Sequence, residues 1–285
     1  MDRRVSIRFY DVDRHNQNDP TLANVLREIS EVERLTDREK DLDEDFRLRL
    51  ERLEDDQNGS AIMGEITRIQ TTNFPSEVHP DGTQPLSVGG PLGHGIIFRY
   101  NIEHGVIGIQ HEPRVASLSR FLDYLNQMFS GANFDVRPKV REDQWRRFND
   151  GATRKLKIRV ASPRDLAAVE GVNQTTTSGI AQLAQTYNAP EITVEVSMGQ
   201  RKGALSDAAR HTVQGLLRLA SLNQIDLRGM KATTKTAEGV PSEEIDFLEE
   251  LVKETDRLEL PDNDPARSYE IRKSFIKTAM RKHNW

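Results

Sequence analysis

A chain of 285 residues exceeds the usual single domain, and with no cysteine it has no disulfide, thiolate metal site or cysteine nucleophile available to it. Hydrophobic residues make up 36% and charged residues 30%, with 40 Lys and Arg against 45 Asp and Glu, lean for a globular protein but above the disordered regime. The opening MDRRVSIRFY lacks the apolar core of a signal peptide, and no run approaches the roughly 20 apolar residues of a membrane span, so a soluble cytoplasmic protein is expected.

Val5, Ile7 and Phe9 alternate with Ser6, Arg8 and Tyr10 and predict a strand with one buried face. Thr21 is placed to cap a short helix whose apolar stripe is Leu22, Val25, Leu26 and Ile29. The acidic run from Asp37 to Asp45 reads as a solvated loop. Phe46, Leu48 and Leu50 then predict a strand that turns at Asp55-Asp56-Gln57-Asn58-Gly59 and returns over residues 62–69. Residues 72–95, rich in Pro and Gly, read as the longest loop. A second hairpin follows, Ile96 to Tyr100 and Val106 to Ile109, and Ser117 caps a helix carrying Leu118, Phe121, Leu122, Leu125 and Met128.

Beyond Gly131 the charge changes sign, which places a boundary between an acidic domain, 1–132, and a second domain, 133–285. In the second, Phe134 to Val136 predicts a strand, Trp145 to Phe148 a short helix, and Leu156, Ile158 and Val160 another strand. Short helices are expected at 163–170 and 178–187, a strand at Ile192 to Val196, a helix from Leu205 to Leu222 and a strand from Leu227 to Thr233. Ile245 to Leu260 reads as a last hairpin and Tyr269 to His283 as a terminal helix. Mixed strands and helices with hairpins define an α+β class of two domains with mostly antiparallel sheets.

Residues 137–235 hold 17 Lys and Arg against 9 Asp and Glu, a net of +8 inside a chain of −5, and such a block points to an anionic partner. Arg154, Lys155, Lys157 and Arg159 bracket the apolar residues of one strand. Alternate strand residues lie about 6.6 Å apart, close to the step between successive phosphates. Arg210 and Arg218 stand two turns apart on one helix, and Lys273 and Lys277 one turn apart on the terminal helix. Arg146 and Arg147 flank Trp145, and Arg201 and Lys202 form a basic pair. Each group also reads as the solvated face of an amphipathic element, and a half-buried Trp145 anchoring its helix is the commoner use of that residue. No sequence-reading motif for nucleic acid is present.

Enzyme signatures are weak. His79, His94, His104 and His111 gather near the second hairpin without metal-ligand spacing. Asp41, Asp43, Glu44 and Asp45 cluster on a polar run, and Gly89-Gly90-Pro91-Leu92-Gly93 lacks the Lys-Ser/Thr of a phosphate-binding loop. No cofactor is expected. A metal-dependent nuclease or other hydrolase using the histidines remains the alternative from another class, and an interaction or sensor component meeting an acidic protein is a third.

The segments VSIRFYDVD, FRLRLERLEDDQNGSAIMGEITRIQ, GIIFRYNIEHGVIGIQ and SLSRFLDYLN resemble a bacterial and prophage family of unknown function. From GIIFRY onward, the order of hairpin, helix, FDVRPKV, basic strand, strand–helix–strand and terminal helix resembles that of the RexA phage exclusion proteins, which are similar in architecture to the DNA-encircling RdgC. The resemblance implies a homodimeric, sequence-indifferent binder of double-stranded DNA in phage exclusion or defence and carries over no catalytic residue; another defence-system protein is a further candidate partner.

Overall fold

The computed structural model describes residues 2–56, 58–161, 174–236 and 240–285. Its contacts divide the chain into two units, residues 1–136 with 253–285, and residues 137–252. In chain order the first stretch gives β1 (Asp2–Arg14), α1 (Leu22–Glu31), a 3-10 turn (Leu35–Arg38), β2 (Glu39–Asp43), β3 (Phe46–Asp55), β4 (Ala61–Gln70), β5 (Ser76–His79), β6 (Gly82–Pro85), β7 (Leu92–Asn101), β8 (Val106–Gln110), α2 (Leu118–Met128) and β9 (Phe134–Pro138). The middle gives α3 (Glu142–Asp150), β10 (Ala152–Ala161), α4 (Gln174–Tyr187), β11 (Glu191–Ser197), α5 (Ala208–Ser221), β12 (Asp226–Lys235) and β13 (Glu243–Asp246), and β14 (Lys253–Glu259) and α6 (Pro265–Lys282) end the chain. The class is α+β with mostly antiparallel sheets, as the sequence predicts.

The first unit is built on a curled sheet ordered β14-β1-β8-β7-β4-β3-β2, with β9 also paired to β1. Successive strand residues point to opposite faces, so each face takes its own helices. Phe98 meets Phe121 of α2 at 5.2 Å between ring centroids. On the face of Phe9, Glu65 and Ile97 lies α6, whose Arg272 reaches Glu65 while Trp285, just beyond the helix, meets Phe9 in a tilted ring contact at 5.2 Å. The helix starts follow local chemistry: the Thr21 hydroxyl accepts from the Asn24 N–H, Ser117 from Arg120 and Asp264 from Arg267, with Pro265 opening α6.

The second unit is a sheet ordered β11-β10-β12-β13 with α3, α4 and α5 on one face. Leu156, Ile158 and Val160 of β10, Met230 and Ala232 of β12 and Ile245 of β13 form its core with Phe148, Ile180, Val213 and Leu216 from the helices. Trp145 is half-buried there, against Phe148 at 5.6 Å and Phe247 at 6.0 Å, which is an anchoring role.

Four sequence expectations change. The acidic run holds β2, because Arg47 pairs with Asp41 at 2.6 Å and with Glu39 at 3.3 Å, and Arg49 pairs with Glu39 at 3.1 Å, offsetting the repulsion that a strand of carboxylates would otherwise carry. The Pro- and Gly-rich stretch holds the β5–β6 ribbon and the start of β7. Ile245 to Leu260 is no hairpin: β13 pairs with β12, and β14 with β1. Residues 253–285 therefore belong to the first unit and not to a second domain of 133–285. The helix expected at 163–170 lies outside the described residues.

Tyr124 closes a gap in the first sheet. Continuing the β2–β3 register past Glu39 and Arg49 would place Arg38 opposite Leu50, but the 3-10 turn carries Arg38 away. The buried phenol fills the missing rung, accepting from the Leu50 N–H at 3.0 Å and donating to the Arg38 carbonyl at 2.8 Å. Tyr124→Phe leaves both backbone groups unpaired and is expected to cost about 1–3 kcal/mol in urea denaturation. His111 is neutral in the fold, since burial, with the Arg8 charge beside it, lowers its pKa to about 4. A histidine depressed in this way stabilises the fold fully above its unfolded pKa and loses that contribution as pH falls toward 4. Over the interval from about pH 6.5 to 4, His111→Gln should lose less stability than the wild type in parallel denaturation curves.

Candidate functional site

The face of the second sheet opposite its helices carries the predicted strand cations. Lys155, Lys157 and Arg159 alternate with the buried residues of β10, and Lys157 stands directly opposite Lys231 of β12, a cation that the sequence reading left out. Cations thus occupy the two central strands. Acids occupy the two outer ones. Glu195 of β11 pairs with Lys155 at 3.0 Å, Glu191 with Arg159 at 2.8 Å, and Glu244 and Asp246 of β13 hold Lys231 at 2.9 and 3.4 Å. The bond from Glu191 raises the Arg159 pKa, and those from Glu244 and then Asp246 raise that of Lys231. Lys157 is exposed and has no ion pair among the described residues.

The remaining predicted cations divide by what they hold. Arg154 donates to the carbonyls of Gly203 at 2.5 Å, Gly199 at 3.2 Å and Arg201, fastening the loop after β11. That loop begins beyond Ser197, the residue opposite Lys155, so it presents Arg201 and Lys202 at the Lys155 end of the ladder; both are exposed. Arg146 pairs with Glu142 at 2.7 Å, Arg147 with Glu243 of β13 at 3.0 Å and Arg210 with Asp207 at 2.9 Å. Arg218 is half-buried on α5. Lys273 and Lys277 belong to the first unit, where they bind Glu54 at 2.5 Å and Asp56 at 3.2 Å and fasten α6 to the β3–β4 hairpin. Among the described residues, then, the cations of the +8 block do not gather into one continuous basic surface. By sequence, residues 236–252 add six acids and no base, so that residues 137–252 hold 17 Lys and Arg against 15 Asp and Glu, a net of +2.

The histidines do not converge on a metal site: among the described residues no group of three His, Asp or Glu side chains is arranged to hold an ion. His104 contacts Asn101 at 3.2 Å, and His79 pairs with Glu77 at 3.4 Å.

A second site lies in the first unit, and the sequence analysis did not foresee it. A cleft of about 850 Å³ opens on the sheet where α6 begins, and seven of its lining residues are arginines. At its base Glu65, 6% exposed, holds Arg272 at 2.6 Å and Arg52 at 3.1 Å. Arg272 also donates to the Gly95 carbonyl at 2.9 Å, to Gln110 at 3.2 Å and to the Ser268 carbonyl at 3.3 Å, so each of its three nitrogens has a partner. The Arg52 guanidinium lies over the Tyr269 ring at 4.4 Å. Gly95 makes the arrangement possible, because a Cβ there would stand 2.6 Å from Glu65 Oε1. In the sequence the only trace of this site is glycine at positions 93 and 95 of a strand otherwise rich in large residues.

The two sites are cation-bearing surfaces of an α+β protein, one in each unit. The chain belongs to the family described as "Family of unknown function (DUF6731)", which it matches over residues 2–284. No curated protein and no solved structure matches it. Glu65→Ala leaves the Arg272 charge buried without its carboxylate and is expected to lower the unfolding free energy by about 3–5 kcal/mol. A loss in urea denaturation below about 1 kcal/mol would show that the pair does not hold α6 to the sheet.

Proposed function

We propose that this protein binds a polyanion without transforming it, and that the polyanion is duplex DNA held by its phosphate backbone at the open face of the second unit's sheet. The observation that carries the reading is the row Lys155, Lys157 and Arg159 beside Lys231, on a face that no helix among the described residues of its unit covers. Lys157 and Lys231 are like charges in direct register; Glu244 and Asp246 hold Lys231, and Glu195 stands opposite Lys157 on its other side without pairing with it, which leaves Lys157 the cation of the row most open to a phosphate. Exposed ion pairs such as Lys155–Glu195 are screened by water, and their cations exchange a carboxylate for a phosphate at little cost. Arg201 and Lys202 extend the row from the adjoining loop.

The flanking acids set the strength of this contact. With a net of +2 in the unit, the row engages few phosphates, and binding is modest and indifferent to sequence. Assembly as a homodimer, by joining two such rows, would raise the avidity. A place in phage exclusion belongs to the same proposal and rests on resemblance in element order alone.

The test is fluorescence anisotropy with a duplex of about 20 base pairs at two salt concentrations. If about three phosphates are neutralised, affinity falls about 40-fold between about 50 and 200 mM salt. Lys157→Glu should weaken binding further and Glu195→Gln should strengthen it. Affinity that ignores both salt and these substitutions would remove duplex DNA as the partner, and strand cleavage in the same mixture would replace a binder with a nuclease.

A further inference from the structure

Independently of that reading, we infer that the arginine-lined cleft of the first unit binds a small phosphate-bearing molecule of about nucleotide size. The cleft walls carry seven arginines against Glu51, Glu65, Glu112 and Asp262, a local +3. The unit around it has 23 basic and 30 acidic side chains, a net of −7. Positive charge concentrated against the sign of its surroundings calls for a counter-ion.

Some of these arginines are already used. Arg272 has a partner at each nitrogen, Arg3 pairs with Asp262 at 3.4 Å, and Arg49 with Glu39 and Glu51. Four others keep donors: Arg68, which gives one to the Arg114 carbonyl at 2.6 Å, lies over the Phe46 ring and has a buried Nε without a hydrogen-bond partner among the described residues, and three more. Arg52 is fixed at Nε by Glu65 and across its face by Tyr269, and no partner is recorded among the described residues for its two terminal nitrogens. Arg4 and Arg114 are exposed and have no side-chain partner among the described residues. These three come from different elements: β3, β1 and the loop after β8.

Separate arginines lining one cleft, with Arg4 alternating to the other face of β1 from Arg3 and Val5, suit an anion with several charged oxygens, since each fork takes two oxygens in its plane. A single carboxylate would occupy one fork and leave the other charges uncompensated. A volume of about 850 Å³ is far larger than a phosphate ion and within the range of small-molecule sites. Thr67, Gln70 and Gln110 offer neutral hydrogen-bonding groups, and Glu112 an acceptor, for the uncharged remainder of the ligand. Arg52 arrives pre-oriented by its two anchors, so little side-chain freedom is lost when the anion enters.

The experiment is isothermal titration of the full chain with inorganic pyrophosphate, with ADP and, as a carboxylate control, with citrate. Pyrophosphate and ADP are expected to bind with Kd below about 100 µM, and citrate more weakly. Arg4→Gln and Arg114→Gln should each weaken ADP binding about 10-fold while melting with the wild type, because neither side chain holds a partner. Arg52→Gln, which keeps the Glu65–Arg272 pair, should do the same. Lys157→Glu in the other unit should leave ADP binding unchanged, which separates this site from the DNA face. No heat with either phosphate compound up to about 1 mM, equal affinity for citrate, or ADP binding indifferent to all three arginine substitutions would overturn the inference.

Discussion

One buried carboxylate organises the first unit. Glu65 sits in the middle of β4, almost out of water, and neutralises guanidiniums from β3 and from a helix that starts 200 residues later. An isolated carboxylate at that depth would be protonated or would unfold its surroundings, so the two arginines and the carboxylate exist only as a group. The group also demands a glycine on the neighbouring strand, since any side chain at position 95 would meet the carboxylate. It holds the beginning of α6 to the sheet, while β14, added beside β1, brings the end of the chain back to its start. The cleft is the space left where α6 begins.

Charge compensation of this kind also decides what the second unit can do. Its central strands are basic and its outer strands acidic, so the same register that gathers cations on one face delivers their counter-ions. The arrangement stabilises a sheet with one face in water, for rows of like charge on adjacent strands would otherwise repel. Its consequence is a modest local potential in place of a broad basic surface. Cations that fasten a loop or a helix, such as Arg154, Lys273 and Lys277, are part of the architecture. Lys157, Arg201 and Lys202 in one unit and Arg4 and Arg114 in the other have no such duty among the described residues.

Much of the fold was legible in the sequence because it depends on local periodicity. The alternation in β1, β3, β7 and β10, the caps Thr21 and Ser117 and the apolar stripes of α1 and α2 all have a period that a linear reading recovers. What escaped reading depends on partners distant along the chain. β2 is a strand because Arg47 and Arg49 stand across from its acids, which composition alone cannot express. β13 and β14 lie seven residues apart and join different sheets, so proximity misled where pairing decided. The charge block failed for the same reason. It was counted along the chain to residue 235, whereas the fold closes the unit with the acids of residues 236–252. The cleft left almost no linear trace, its arginines being scattered from position 3 to 272.

The central claim is that a polyanion meets the cations on the open face of the second unit's sheet and its adjoining loop, and leaves alone those that fasten helices within the fold. Lysine acetylation by a water-soluble reagent, read residue by residue by mass spectrometry with and without duplex DNA, tests it directly. DNA should protect Lys157 and Lys202 and leave Lys273 and Lys277, bound to Glu54 and Asp56, at their unliganded rates. Protection confined to Lys273 and Lys277, or none at Lys157, would contradict it.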